Sequence, residues 1–166
     1  MNTSVHLAFG GNCDAAFAFY ETVFGTKRIM TMKYGDAPAG TPVPEGSEDR
    51  VMHTAIKLGS ITLMGADAPP GHGKPFGGFD ISLDDSSEAE VRRLFTALSA
   101  GGSVMMPLAP TFWSPLFGMC TDRFGVNWIS ASPWRKSSTR TPWPIPAAST
   151  GISISRRSTC RRMPMA

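Results

Sequence analysis

The sequence predicts an α+β protein in which one domain, residues 1–134, contains two successive βαβββ modules, about 1–67 and 77–134. Two observations carry this prediction. A strand-like segment, an amphipathic helix and three more strand-like segments follow one another, and the same order repeats with the second helix about 75 residues after the first. Two four-stranded sheets, each with a helix on one side, leave their opposite concave faces open. We call that face the trough of its module.

The first module begins with an alternating segment, residues 4–10, which is typical of a half-buried strand. Asn12 is expected to cap the following helix, and Gly25 is expected to end it. One face of this helix should be buried, with Ala16, Phe17, Tyr20, Val23 and Phe24. Three strands should follow, over residues 27–34, 50–58 and 61–66, with a Pro/Gly-rich loop over 35–49 and a tight turn at Gly59-Ser60.

The second module repeats this order after a Pro/Gly-rich linker, residues 68–78. Residues 79–84 predict a strand, and Asp85 or Ser86 is expected to cap the second helix. The i, i+3, i+4, i+7 spacing predicts a buried face with Val91, Leu94, Phe95 and Leu98. Three strands should follow, over residues 102–108, 114–122 and 126–132, the last two joined by a turn at Phe124-Gly125.

The sequence changes character after Trp134. Residues 135–166 contain seven of the 16 basic residues, no carboxylate and repeated prolines, so they have little means of forming a core. We expect a disordered, basic C-terminal tail. Two alternatives stay open: a non-native segment translated from a shifted reading frame, and a basic arm for an acidic partner.

Composition limits the class of protein. A chain of 166 residues, 42% hydrophobic and 17% charged, is typical of a globular protein with a core. The formal net charge of the chain is +3, but residues 1–134 hold nine basic and all 13 acidic side chains, so the domain itself is net acidic. We therefore expect no nucleic-acid partner for the domain. No segment has the length of a membrane span or the pattern of a secretory leader, and three scattered cysteines favour a reducing cytoplasm.

Three segments carry a resemblance to a known family. They are LAFGGNCDAAFAFYETVFG (7–25), HTAIKLGSITLMGAD (53–67) and MPLAPTFWSPLFGMCTDRFGVNW (106–128). The chain resembles the PhnB-like family of the vicinal-oxygen-chelate superfamily, which contains glyoxalases, extradiol dioxygenases and bleomycin-resistance proteins. The resemblance covers residues 1–133. It implies a glyoxalase-like fold of paired modules, a small-molecule ligand in the trough and a homodimer.

Enzymes of that superfamily usually hold a divalent metal through His and Glu side chains on the first and last strands of each module. Counting from the matched segments puts these positions at Val5, at Leu63 or Met64, at Gly78 or Phe79, and at Ile129. None of these side chains binds such a cation. The comparison with the superfamily therefore predicts no metal site and no cofactor.

A strand register shifted by one residue gives an alternative, because such a shift turns every side chain to the other sheet face. His6 and Asp80 would then enter the trough, with Trp128 or Ser130 on the last strand. This alternative is a divalent-metal lyase, isomerase or dioxygenase. It would use His6, Asp80 and either His53 or Asp67.

Several residues are candidates for contact with a ligand. His53 is either a half-buried residue bonded to the backbone or a donor or base in the pocket. Trp113 either stacks on a planar ligand or seals an interface. The candidate ligand-binding residues are His53, Met64, Phe79, Phe112, Trp113 and Trp128.

Other residues have simpler interpretations. Asp122 is expected to stabilise the turn that follows it, and His72 to lie in a solvated loop. Cys13 and Cys120 are weak candidates for a nucleophile because neither has an evident His partner. Strand methionines either fill the core, the simpler expectation, or line a trough: Met30, Met32, Met52, Met64, Met105, Met106 and Met119.

The motifs GxGxxG, P-loop, HExxH and GxSxG are absent from the sequence, and no glycine-rich turn offers a cradle for S-adenosylmethionine. Catalytic residues are therefore not assigned, and enzymatic activity is left open. Three hypotheses remain: a metal-free small-molecule-binding protein, the divalent-metal enzyme, and a vestigial structural dimer whose own side chains fill its troughs.

Overall fold

The computed structural model of the chain describes residues 3–133, so the predicted tail, residues 135–166, lies outside the described residues. The described part contains two mixed four-stranded sheets and two α-helices. The predicted α+β fold of two βαβββ modules is therefore confirmed. Neither of these helices is long and apolar enough to cross a membrane.

The first module contains β1 (Ser4–Phe9), α1 (Cys13–Phe24), β2 (Arg28–Lys33), β3 (Val51–Leu58) and β4 (Ile61–Asp67). The strand order is β1-β4-β3-β2, with β1 parallel to β4 and the other neighbours antiparallel. A 3-10 turn that the sequence did not predict, Tyr34–Asp36, follows β2.

The second module contains β5 (Ile81–Asp84), α2 (Glu88–Ser99), β6 (Ser103–Ala109), β7 (Leu116–Thr121) and β8 (Asn127–Ser132). Its strand order, β5-β8-β7-β6, repeats that of the first module, again with the first and last strands parallel. Each module thus places its first strand beside its last strand.

The N-terminus of α1 is capped from outside the helix. Asn12 occupies the N-cap position, but its side chain makes no capping hydrogen bond. Instead, Oδ1 of Asp67 at the end of β4 accepts from the N–H groups of Gly11 (2.9 Å) and Cys13 (3.0 Å). The capping role predicted for the Asn12 side chain is wrong, whereas Gly25 ends the helix with a left-handed φ of 60° as predicted.

The N-terminus of α2 is capped by Ser87, so the predicted caps Asp85 and Ser86 are wrong by one or two residues. The Ser87 hydroxyl accepts a hydrogen bond of 3.3 Å from the N–H of Glu90. Asp85 acts just before the helix, where its Oδ1 accepts from the N–H of Ser87 at 2.7 Å. The cap is therefore preceded by an aspartate-stabilised turn.

The helix-facing sides of the two sheets share one hydrophobic core. The ring of Tyr20 on α1 packs against Trp128 of β8, with centroids 5.5 Å apart, and Phe19 packs against Phe124 at 5.7 Å. The predicted helix faces are buried against this core, with Phe24 and Leu94 only partly covered. Because the core takes the helix-facing sides, the troughs carry the less buried side chains.

A glycine in each sheet lets the helix of that module approach closely. A Cβ atom on Gly65 of β4 would lie 2.3 Å from Cε2 of Phe17 on α1. A Cβ atom on Gly118 of β7 would lie 2.9 Å from Cε2 of Phe95 on α2. Both distances are below ordinary van der Waals contact, so the packing of each helix requires the missing side chain.

Candidate functional site

The alternation of side chains along β1 determines what enters the first trough. Leu7 and Phe9 are buried in the core, and Val5 packs against the core beside its fully buried partner Leu63. His6 and Ala8 therefore point to the trough. The prediction that Val5 faces the trough is wrong by one residue, because the large apolar residues of β1 all take the helix side.

The neighbouring strands extend this surface. His6 pairs with Met64 of β4, and Met64 pairs with Ala55 of β3, so these three residues share the trough face. His53 lies two residues before Ala55 and pairs with Met32 of β2. The predicted candidates His53 and Met64 thus lie on the same face as His6.

The imidazole rings of His6 and His53 lie together over the first trough. Their centroids are 6.2 Å apart, and their planes make an angle of 20°. His6 is exposed and His53 is half-buried. Neither imidazole has a hydrogen-bond partner within residues 3–133, so the backbone bond considered for His53 is not found there. Both rings are available to donate to or accept from a ligand.

The methionines do not fill the core. All seven strand methionines lie outside the buried set, and four of them expose 37–58% of their surface. Five occupy trough positions by their strand pairing: Met30, Met32, Met64, Met106 and Met119. The expectation that most of them fill the core is wrong, because the buried strand positions hold other apolar side chains, such as those of Ile56 and Leu63. A flexible thioether surface adapts to varied apolar ligands.

The last strand of the second module follows the register first predicted. Ile129 pairs with Met119 of β7 and faces the second trough, whereas Trp128 and Ser130 are buried on the helix side. Trp128 is 0% exposed, and its Nε1–H donates to Oδ2 of Asp122 at 2.9 Å. The structure therefore places the candidate Trp128 in the core and not in a trough.

The carboxylate of Asp122 stabilises the turn before β8, as predicted. Its Oδ1 accepts from the N–H groups of Phe124 (2.8 Å) and Val126 (3.0 Å). Its Oδ2 accepts from the hydroxyl of Tyr20 at 2.7 Å and from Trp128. Burial, and then the Asp122 charge, raise the pKa of Tyr20 well above its usual range, so this hydroxyl stays protonated.

The remaining aromatic candidates lie elsewhere. Phe112 and Trp113 are 69% and 48% exposed, their rings are 4.4 Å apart, and Trp113 also contacts Phe117 of β7 at 5.5 Å. Phe79 contacts Phe76, which packs on the core. Within the described residues, these aromatic rings make no ring contact with His6 or His53. The six predicted ligand contacts therefore fall into separate groups.

Of the donors of the alternative metal site, only His6 and His53 lie together in the described part of the chain. Asp67 is 3% exposed on the helix side, and its carboxylate accepts three backbone N–H groups, those of Gly11, Cys13 and Val51. Asp80 is exposed just before β5. Residues 3–133 contain no group of three His, Cys, Asp or Glu side chains that could hold a metal. The two imidazoles over the first trough therefore lack a third donor within residues 3–133.

The two thiols of the described region are poor nucleophiles. Burial, assisted by the charge of Asp122, raises the pKa of Cys120 to about 11. Burial and then the charge of Asp67 raise the pKa of Cys13 above the usual range of a thiol. A thiolate is needed for attack, so neither residue is suited to covalent catalysis.

Two cavities lie outside the troughs and were not predicted. One, of about 500 Å³, lies beside β5 and α2, and the other, of about 720 Å³, is lined by residues that include Arg50, Lys74 and Phe76. Both combine residues that are distant in sequence, so no local pattern signals them. His6 was predicted only in the alternative register, although the alternation of Leu7 and Phe9 already indicated its face.

Comparison with known proteins gives the family. The family model of the Glyoxalase/Bleomycin resistance protein/Dioxygenase superfamily matches residues 4–129. The chain is 31% identical to protein YjdN of Escherichia coli (strain K12) over 137 residues, which are 78% of this chain and 93% of YjdN. The chain therefore belongs to the glyoxalase/bleomycin resistance protein/dioxygenase superfamily.

Solved structures agree with this assignment. Protein PA1353 from Pseudomonas aeruginosa is 41% identical, with a TM-score of 0.73 over 80% of this chain and 98% of PA1353. The PhnB protein from Bacillus cereus is 22% identical and has the same fold, with a TM-score of 0.67 over 80% of this chain and 99% of its own. The predicted superfamily is confirmed, and the fold resembles that of a PhnB protein.

Proposed function

We propose that the protein binds a small organic molecule in the trough of the first module, without a divalent metal, and that it does so as a cytoplasmic homodimer. The observation that carries the proposal is the pair of imidazoles, His6 and His53, held 6.2 Å apart and without hydrogen-bond partners in the described region. Unpaired imidazoles on a sheet face that also carries thioethers can orient a polar group of a ligand.

The chemistry of this surface indicates the kind of ligand. Imidazole can donate one hydrogen bond and accept another when it is neutral, which suits hydroxyl, carbonyl or carboxylate oxygens. Met30, Met32 and Met64 offer an adaptable apolar surface beside the two rings. An oxygenated molecule with an apolar or planar body therefore fits the trough. No residue of this surface is assigned a catalytic step.

Support for the dimer comes from apolar surface. Both outer strands carry exposed apolar side chains, 37–58% exposed: Ile29, Met30 and Met32 on β2, and Val104, Met105 and Met106 on β6. Soluble monomers rarely expose large contiguous apolar patches, so several exposed apolar side chains on one strand favour a covering partner. A second copy of the chain would cover them and would also turn an open trough into an enclosed site.

A thermal-shift screen with small oxygenated and aromatic molecules tests the proposal, because binding to the native state raises the midpoint of unfolding. We expect ligands that raise the midpoint. The substitutions His53→Ala and His6→Ala should each weaken their apparent affinity about 5-fold, as expected for the loss of a hydrogen bond of about 1 kcal/mol. His72→Ala is the matched control, since His72 is exposed in a loop. No hit in a broad library would favour the vestigial structural dimer.

A further inference from the structure

The cavity of about 500 Å³ lies between the two modules, and its lining contains none of the trough residues named above. One side is the β3–β4 turn of the first module, and the other side is β5 with α2 of the second module. Its apolar wall includes Phe24, Leu58, Val91 and Leu94. The volume is within the range of about 300–1,000 Å³ that is usual for small-molecule sites.

One of the residues that line this cavity, Ser130, has a buried hydroxyl without a partner in the described residues. Ser130 of β8 pairs with Leu83 of β5 and is 1% exposed. Its Oγ has no hydrogen-bond partner within the described residues. Leaving a hydroxyl buried and unpaired is unfavourable, so native proteins do so rarely. A polar ligand atom in the cavity would give this hydroxyl the partner that residues 3–133 do not supply.

The charges around the cavity select against anions. Acidic residues at the rim, Asp84, Asp85 and Glu90, outnumber the basic residues Lys57 and Arg93. The guanidinium of Arg93 is already engaged, because it donates to both carboxylate oxygens of Glu90 at 2.6 and 2.8 Å and to a backbone carbonyl at 3.0 Å. An incoming carboxylate or phosphate would therefore meet uncompensated negative charge.

We propose that this cavity is a second ligand site, which binds a small amphiphilic molecule that is neutral or carries one positive charge. The apolar part of the ligand lies against Val91 and Leu94, and its hydroxyl or amine is hydrogen-bonded to Oγ of Ser130. Because the site and the first trough share no lining residue named above, its occupancy is independent of the function proposed for the trough.

Three probes with the same ring and different charge test the proposal: benzyl alcohol, benzylamine and benzoate. Amide resonances of the full chain are followed by heteronuclear NMR up to about 10 mM probe, enough to detect a Kd near 1 mM. We expect saturable shifts at Val91, Leu94 and Ser130 with benzyl alcohol and benzylamine, and several-fold weaker binding of benzoate. The absence of shifts with all three probes, or stronger binding of benzoate, would overturn the proposal.

The substitution Ser130→Ala tests whether the Ser130 hydroxyl contacts the ligand. We expect this substitution to weaken benzyl alcohol binding by about 2- to 10-fold, the range of one hydrogen bond. Ser47→Ala is the matched control, since Ser47 has a buried, unpartnered Oγ and does not line the cavity. It should leave binding unchanged. Equal affinities of the Ser130→Ala variant and the unsubstituted protein would mean that the hydroxyl binds water only, and would overturn the assignment.

A third substitution, Leu94→Trp, fills the cavity with a larger side chain and should abolish the shifts. Leu94 is only partly buried, so the helix can accept the change.

Neither serine substitution should lower the midpoint of unfolding, because each removes an unpaired polar atom. A lower midpoint for Ser130→Ala would show that its hydroxyl already has a partner in the free protein, which contradicts the proposal.

Discussion

The hydroxyl of Tyr20 donates a hydrogen bond of 2.7 Å to Oδ2 of Asp122, a residue 102 positions later in the chain. Tyr20 belongs to α1 of the first module, and Asp122 follows β7 of the second. The same oxygen accepts from Trp128 of β8, so one buried carboxylate connects the first helix to the second sheet. The two modules are therefore joined by a polar contact as well as by their common core.

Removing the Tyr20 hydroxyl should destabilise the whole domain. Tyr20→Phe keeps the ring packing and takes one donor from a buried carboxylate, at a cost of about 1–3 kcal/mol. Urea unfolding followed by tryptophan fluorescence measures the loss. Tyr34→Phe is the control, because that hydroxyl makes a longer, part-buried bond of 3.3 Å to the carbonyl of Asp67. An equal effect of the two substitutions would contradict a special role for the Tyr20–Asp122 contact.

The close approach of α1 to β4 predicts a large effect of a single methyl group. Gly65→Ala puts a Cβ atom 2.3 Å from the Phe17 ring and 3.0 Å from the Cys13 sulfur, so overpacking should cost about 3 kcal/mol or more. Gly118→Ala should cost less, because one of its nearest atoms, 2.9 Å away, is the end of the flexible Leu108 side chain. Thermal unfolding of the two variants gives the comparison. A higher midpoint for Gly65→Ala than for Gly118→Ala would refute this packing.

The buried thiols predict a chemical reactivity. Burial raises the pKa of Cys120 to about 11, so about one thiol in a thousand is ionised at pH 8, and Cys13 should be ionised still less. In a Cys160→Ser variant, which leaves only these two cysteines, native protein should not react with a thiol-specific disulfide reagent. Unfolded protein should react at both sites. Rapid reaction of the native variant would show that at least one thiol is accessible.

The same shifts set a pH dependence of stability. A thiol whose pKa is raised by folding favours the folded state at pH values below its unfolded pKa, near 9, and this contribution is lost as the pH rises toward 11. The free energy of unfolding should therefore fall between about pH 9 and 11. Replacing Cys13 and Cys120 with Ala should reduce this fall in the free energy of unfolding with pH. The pH dependence that remains is then due to Tyr20 and other groups.

The proposed dimer predicts that a charge on a trough face changes the oligomeric state. Met106→Lys places an ammonium group on the apolar surface of β6, which would be costly to bury in an interface. Size-exclusion chromatography with light scattering should find a dimer for the unsubstituted protein and a monomer for the variant. Thr96→Lys, on the exposed side of α2, is the control and should stay dimeric. A monomeric unsubstituted protein would contradict the proposed assembly.

Local sequence patterns predicted the helices and strands, whereas the α1 cap and the cavity beside Ser130 depend on long-range contacts. The helix faces followed from apolar spacing, since a 3.6-residue period is visible within a dozen residues. The cap of α1 could not be predicted from local spacing, because the carboxylate of Asp67 that forms it lies 54 positions from Cys13. The cavity beside Ser130 also depends on how the modules meet, which no local pattern contains.

The candidate site was predicted in part. The positions of His53 and Met64 on the first trough follow the sequence, and the alternation of β1 could have placed His6 there as well. The methionines were ambiguous because a thioether fits a core and an exposed binding surface equally well. Trp128 was assigned to the ligand surface, although its indole is bonded to Asp122 in the core.

Metal-free ligand binding is tested most directly by a calorimetric titration of a screening hit into untagged protein, before and after treatment with a chelator of divalent metals. We expect the same Kd in both samples and a larger Kd in the His53→Ala variant. Loss of binding after chelation, with recovery when a divalent metal is added back, would contradict it and would support the metal-dependent enzyme.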